Sequence, residues 1–166
     1  PKGAGSGTAD GCVVARSMTE VFAVQAAGRG VRVELDAPDG PLMVRLGQDE
    51  LEQVLSNLLL NALDAVPSGS GRIVVRVTDG CGGLVALEVA DNGPGVAVAD
   101  QVHIFDPFYS TKEPGAGTGL GLAIVYGLVT EVGGRVEAGR SEELGGARFT
   151  VLLPGAAASE EGEGKA

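Results

Sequence analysis

The sequence predicts an α+β fold: a two-layer α/β sandwich in which a mixed sheet of about five strands is covered on one face by about three helices. Three observations predict it. The segments run helix, two strands, helix, two strands, a glycine-rich stretch, helix, two strands, so strands come mainly as hairpin pairs. Strict β-α-β alternation is missing, which argues against a doubly wound parallel sheet. Hydrophobic residues make up 44% of the 166 residues but aromatics only 4%, with no Trp, so the core must be built from Val, Leu, Ile and Ala.

The elements follow in order. Val14, Met18, Val21, Phe22 and Val24 recur at helical spacing and predict a helix over 13–27, stopped by Gly28 and Gly30. Residues 31–36 alternate as a strand, Pro38-Asp39-Gly40-Pro41 is a turn, and residues 42–46 form a second short strand. Residues 47–66 carry the strongest helical pattern. Gly47 is a tolerable N-cap, Asp49 and Glu50 suit the positive end of the helix dipole, and Pro67-Ser68-Gly69 ends the run. Residues 72–78 and 84–90 alternate around Gly80-Cys81-Gly82-Gly83, a hairpin signal. Residues 118–132 read as a helix ending at Gly133-Gly134, and 135–138 with 147–153 form a last hairpin.

Residues 1–12, small and Gly-rich, read as a linker, 13–155 as one domain, and 156–166 as an acidic disordered tail. The chain starts without Met and is expected to be a piece of something larger. A net charge of −10 argues against nonspecific binding to nucleic acid or to an anionic membrane. No apolar run approaches the roughly 20 residues that span a bilayer, and no secretory signal is seen. Cys12 and Cys81 lie far apart, with no metal-type spacing, and read as two reduced cytosolic thiols.

On a wheel with about 100° per residue, Leu51, Val54, Leu55, Leu58, Ala62, Ala65 and Val66 share one apolar arc. Glu50, Asn57, Asn61 and Asp64 share the flanking arc, so Asn57 and Asn61 point the same way beside the buried face. Asn is unfavourable inside a helix because its short amide competes for backbone partners. An amide oxygen suits Mg²⁺, which keeps several waters and shares phosphate oxygens; an amide capping a neighbouring loop is the other reading.

Two glycine clusters bracket a polar, lysine-bearing segment and describe a mobile flap over a phosphate-bearing ligand. Asp91 ends a strand where a carboxylate can look into the space between sheet and helices. As a pure acceptor it suits the exocyclic amine of adenine and rejects the carbonyl of guanine. Gly93 and Gly95 let a flat base approach the main chain, although Asp-x-Gly-x-Gly alone can be an ordinary turn. Gly115, Gly117, Gly119 and Gly121 run into a helix start, where free N–H groups make a phosphate site. No Gly-Lys-Ser/Thr follows, so this is not a Walker-type loop. Lys112 can reach a phosphate or stand solvated, and Phe105, Pro107, Phe108 and Tyr109 can clamp the flap, meet a partner or pack in the core.

In order and spacing these motifs resemble the GHKL superfamily of ATP-binding domains, the Bergerat fold. The closest likeness is to the catalytic and ATP-binding domain of bacterial sensor histidine kinases, in the nitrogen-regulation-like form. Residues 53–65 are similar to the family's N box, 91–95 to its G1 box, 104–112 to its F box, 117–122 to its G2 box, and Gly145 to Phe149 to its closing strand. The resemblance implies ATP and Mg²⁺ as cofactors, the metal on Asn61 with Asn57 nearby, and adenine read by Asp91. It also implies that Asp64, Ala65, Gly93, Gly95, Val96, Phe105, Lys112, Gly117, Thr118, Gly119, Leu120, Gly121 and Leu122 surround the nucleotide. Asn57, Asn61 and Lys112 are the residues expected to serve catalysis.

The implied activity is transfer of the γ-phosphoryl group to a histidine on a separate dimerisation domain, in two-component signalling. A response regulator is the indirect partner, and the cytoplasm the expected location even if the parent protein is membrane-anchored. The sequence departs from the family at Gly47, where an acidic residue is common. It also lacks a phosphoacceptor helix: His103, the one histidine, precedes the F box. Hydrolytic branches of the superfamily resemble one another in a glutamate one turn before the metal-binding Asn; here Asn57 stands there and cannot act as a base. A GHKL-type protein serine kinase and a non-catalytic ATP-binding module are the alternatives.

Overall fold

The computed structural model describes residues 7–110 and 119–156. The elements are β1 (Ala9–Asp10), α1 (Gly11–Ala27), β2 (Arg32–Asp36), β3 (Met43–Val44), α2 (Gln48–Ala65), β4 (Arg72–Asp79), β5 (Leu84–Asp91), α3 (Val98–Gln101), α4 (Gly121–Glu131), β6 (Arg135–Arg140) and β7 (Ala147–Pro154). Five strands form one sheet in the order β2-β4-β5-β7-β6, and β1 pairs with β3 in a separate two-stranded ribbon. The sheet is mixed: β2 runs parallel to β4, and every other neighbouring pair is antiparallel.

Strand alternation builds the two layers. Ile73, Val75 and Val77 of β4, Val85, Leu87 and Val89 of β5, and Phe149, Val151 and Leu153 of β7 are buried on one face. Against that face pack α1, α2 and α4, with Leu51, Val54, Leu55, Leu58, Leu59 and Ala62 of α2 in the same core. The other face carries the charged pairs. Arg72 pairs with Glu34, and Arg76 reaches Asp36, Glu88 and Glu143 at 2.9, 3.1 and 3.0 Å. A helix layer over one face of a five-stranded mixed sheet is the α+β sandwich the sequence predicts.

Three expectations are corrected. The segment 1–12 is not linker to its end: Ala9–Asp10 forms β1, and Cys12 is buried in α1. Asp10 is the reason, because its Oδ1 accepts from the N–H of Cys12 at 3.0 Å and of Leu42 at 3.1 Å, capping α1 and tying it to the β3 side. The strands of 31–36 and 42–46 are not a hairpin pair; β2 finds β4 and β3 finds β1. The helix expected from 118 begins, within the described residues, at Gly121. Among the described residues no helix is long and apolar enough to cross a membrane.

Candidate functional site

Asp91 is the last residue of β5 and falls on the same alternation as Val85, Leu87 and Val89, so its side chain lies on the helix-covered face. It is 1% exposed. Its Oδ1 accepts from the N–H of Gly93 at 2.8 Å and of Ala147 at 3.2 Å, which locks the carboxylate against β7. Burial pushes the Asp91 carboxyl above the usual aspartate range, and the two N–H donors pull it back only in part. A Cβ on Gly93 would lie 2.7 Å from the carbonyl oxygen of Ala65, so the absence of a side chain lets the chain after β5 cross the end of α2. Asn92 pins that crossing: its Oδ1 accepts from Arg72 N–H at 2.8 Å and its Nδ2 donates to Ser70 O at 2.9 Å.

Beside this corner opens a cavity of about 680 Å³, within the range of pockets that hold a small ligand. Of the residues singled out from the sequence, Asn57, Asn61, Asp64, Gly95, Val96, Gly119, Gly121 and Leu122 line it. Asp91 and Gly93 are not themselves lining residues; Asp91 adjoins the cavity through Gly146, which lines it and packs on the carboxylate. Ala65 and Leu120 are also off the wall. Phe105, expected beside the cofactor, instead packs between Tyr126 at 5.9 Å and Phe149 at 6.4 Å (ring centroids), where aromatic contacts satisfy it. Lys112, Gly117 and Thr118 lie outside the described residues.

The lining also includes residues to which the sequence reading gave no place at the nucleotide: Leu60, Pro94, Ala97, Asp100, Ile104, Tyr109, Ser110, Arg140, Gly145, Gly146 and Phe149. All but Ala97, Asp100 and Arg140 lie in segments already singled out, Tyr109 among the loop aromatics; nothing local marks those three. Tyr109 donates its Oη–H to Asp100 Oδ1, fastening the start of the flap to α3, and that bond raises the phenol's pKa. At the neck of the flap, Phe108 N–H donates to Gly119 O at 2.9 Å. Both residues have positive φ, 67° and 69°, and a Cβ on Gly119 would lie 2.7 Å from the Phe108 backbone.

The far end of the cavity has different chemistry. Asn57 Nδ2 is buried with no hydrogen-bond partner among the described residues, so that N–H₂ group is not spent on capping a described loop. A Cβ built on Gly121 would sit 3.9 Å from the Asn57 side chain, which places the first turn of α4 against it. No side chain among the described residues caps that helix start, and the first turn of a helix is where an anion can bind. Among the described residues no group of three His, Cys, Asp or Glu could cage a metal. The amide pair of Asn57 and Asn61 beside Asp64 nevertheless fits an Mg²⁺ that draws its other ligands from phosphate and water.

A buried acceptor at one end and a helix start with two amides at the other fit a nucleotide-binding ATPase domain. Residues 47–157 match the family described as "Histidine kinase-, DNA gyrase B-, and HSP90-like ATPase", and the chain belongs to that family. Within it, the chain is a catalytic domain of the sensor histidine kinase kind. It is 43% identical over 131 residues to the C4-dicarboxylate transport sensor protein DctB of Pseudomonas aeruginosa, covering 76% of this chain and 21% of that protein. It is 38% identical over 135 residues to the sensor histidine kinase ZraS of Klebsiella oxytoca, covering 81% and 28%. Among solved structures, full-length ShkA in complex with AMPPNP superposes with a TM-score of 0.78 at 31% identity, over 90% of this chain and 31% of that one. The catalytic domain of histidine kinase ThkA superposes with a TM-score of 0.78 at 26% identity, over 89% and 93%. The chain thus spans about a fifth to a quarter of the length of these curated relatives.

Proposed function

We propose that this chain binds Mg-ATP in the cavity and transfers the γ-phosphoryl group to a histidine on a separate helical dimerisation domain, as one step of two-component signalling. The observation that carries the reading is Asp91: a buried carboxylate on the helix side of the sheet, with Oδ1 held by two main-chain N–H groups. That leaves Oδ2 as the acceptor we assign to the adenine amine. The base enters beside Gly95 and Gly146, and the phosphates extend toward Asn57, Asn61 and the start of α4. The domain we assign to this work is 13–155, together with the preceding residues of β1 and α1, and its location the cytoplasm.

Mg²⁺ bound by Asn61 would neutralise charge on the phosphate oxygens, which is what phosphoryl transfer chiefly requires. The protein's own residues position the reactants. Asp91 fixes the base, the first N–H groups of α4 meet phosphate oxygens, and we assign Lys112 to the remaining phosphate charge. The nucleophile is an imidazole nitrogen of the partner domain, since His103 lies on the surface beside Asp106, at 3.3 Å. Asn57 stands one turn before Asn61 and offers no carboxylate to activate water, which supports transfer over hydrolysis. A response regulator would receive the phosphoryl group from that histidine.

The test mixes the chain with γ-labelled ATP, Mg²⁺ and the histidine-bearing dimerisation domain of a related sensor kinase. Acid-labile label on that domain's histidine is the expected result. Tight ATP binding with no transfer to any such domain would leave a binding module, and label on serine would favour the protein serine kinase.

A further inference from the structure

We propose that Arg140 stacks its guanidinium plane on the nucleobase and so sets a preference for purine over pyrimidine nucleotides; this rests on reading the cavity as an adenine nucleotide site. On β6, Val136 and Ala138 turn toward the helix layer and pack against the core. Two residues on, Arg140 returns to that same face and lines the cavity. It sits in register with Ala147, whose N–H holds Asp91 Oδ1 at 3.2 Å. The next residue, Ser141, donates its N–H to Gly146 O at 2.8 Å. Arg140 therefore starts from the Asp91 end of the cavity, where the base is read.

Its electrostatic setting is distinctive. Arg140 is the only Lys or Arg among the described residues that line the cavity. Arg72, Arg76 and Arg135 are each paired with carboxylates, whereas no described carboxylate pairs with Arg140, and the side chain is exposed. A planar, weakly hydrated cation with no partner beside an aromatic ligand gains by stacking on it. A purine offers the larger face. The expected gain corresponds to about three- to thirtyfold in affinity.

The test is calorimetric titration of the chain and of Arg140→Ala and Arg140→Lys with ATP, AMP and CTP, with adenosine followed by ligand-observed NMR. Stacking predicts that Arg140→Ala weakens ATP, AMP and adenosine by a similar factor, about five- to tenfold, and CTP much less. Arg140→Lys should recover less than half of the loss, because the ammonium has no plane. Unfolding temperatures should stay within about a degree of the parent, since the side chain is exposed and holds no ion pair among the described residues. A loss confined to ATP and absent with adenosine would mean a phosphate contact and overturn the proposal, as would unchanged affinities. Asp91→Asn, run in parallel, separates the two readings. If that variant binds ATP normally, or the parent binds none, the nucleotide site itself is wrong and stacking falls with it. If Asp91→Asn fails while Arg140→Ala is neutral, only stacking is wrong.

Discussion

Gly146 donates its main-chain N–H to the main-chain oxygen of Asp91 at 3.0 Å, and a Cβ built on Gly146 would lie 2.5 Å from Asp91 Oδ1. The carboxylate keeps its place only because residue 146 has no side chain. Gly146→Ala is therefore expected to push Asp91 off Ala147. The overpacking should cost about 1–3 kcal/mol of stability, and ATP affinity should fall at least tenfold. Urea unfolding and ATP titration of the purified variant measure both.

Asp91→Asn separates stability from recognition. The folded-state pKa of Asp91 is raised by burial, so its contribution to stability is fully present below the unfolded value and is lost as pH rises through the folded one. Relative to the Asn variant, the parent should thus lose stability as pH climbs from about 4 toward 7. The variant keeps an oxygen for the N–H groups of Gly93 and Ala147 and should fold at least as well at neutral pH, while ATP binding collapses. Thermal unfolding of both proteins across that range reports the sign.

Asn61→Ala should abolish Mg²⁺-dependent phosphoryl transfer while magnesium-free nucleotide binding partly survives. Transfer rates and ATP titrations with and without Mg²⁺ give the comparison, and unchanged transfer would remove Asn61 from the metal site.

Gly119→Ala tests the neck of the flap. The added methyl would meet the backbone of Phe108, and a left-handed φ of 69° disfavours any side chain. A cost of about 1–2 kcal/mol is expected, felt chiefly as weaker ATP binding and slower transfer because the flap, not the core, is disturbed. A variant with intact affinity would show that the neck need not close on itself.

Much of this site could be read from the chain because its signals are local. The alternation of Val85, Leu87 and Val89 carries the parity that turns Asp91 inward, and the apolar arc of α2 places Asn57 and Asn61 side by side. What could not be read depends on distant partners. β1 is two residues long and exists because Met43 and Val44 come back to it. The parallel pairing of β2 with β4 joins segments separated by all of α2. Phe105 sits in a loop sequence that suits a ligand contact as well as a core, and only Tyr126 and Phe149 decide between them. Arg140 and Gly146 acquire their places from strand register, which no single segment encodes.

The central claim is that a buried carboxylate reads adenine, and paired titrations of the chain with ATP and GTP test it most directly. The account predicts saturable ATP binding at least about tenfold tighter than GTP, with that difference erased in Asp91→Asn. Equal affinity of the parent for the two nucleotides would contradict it.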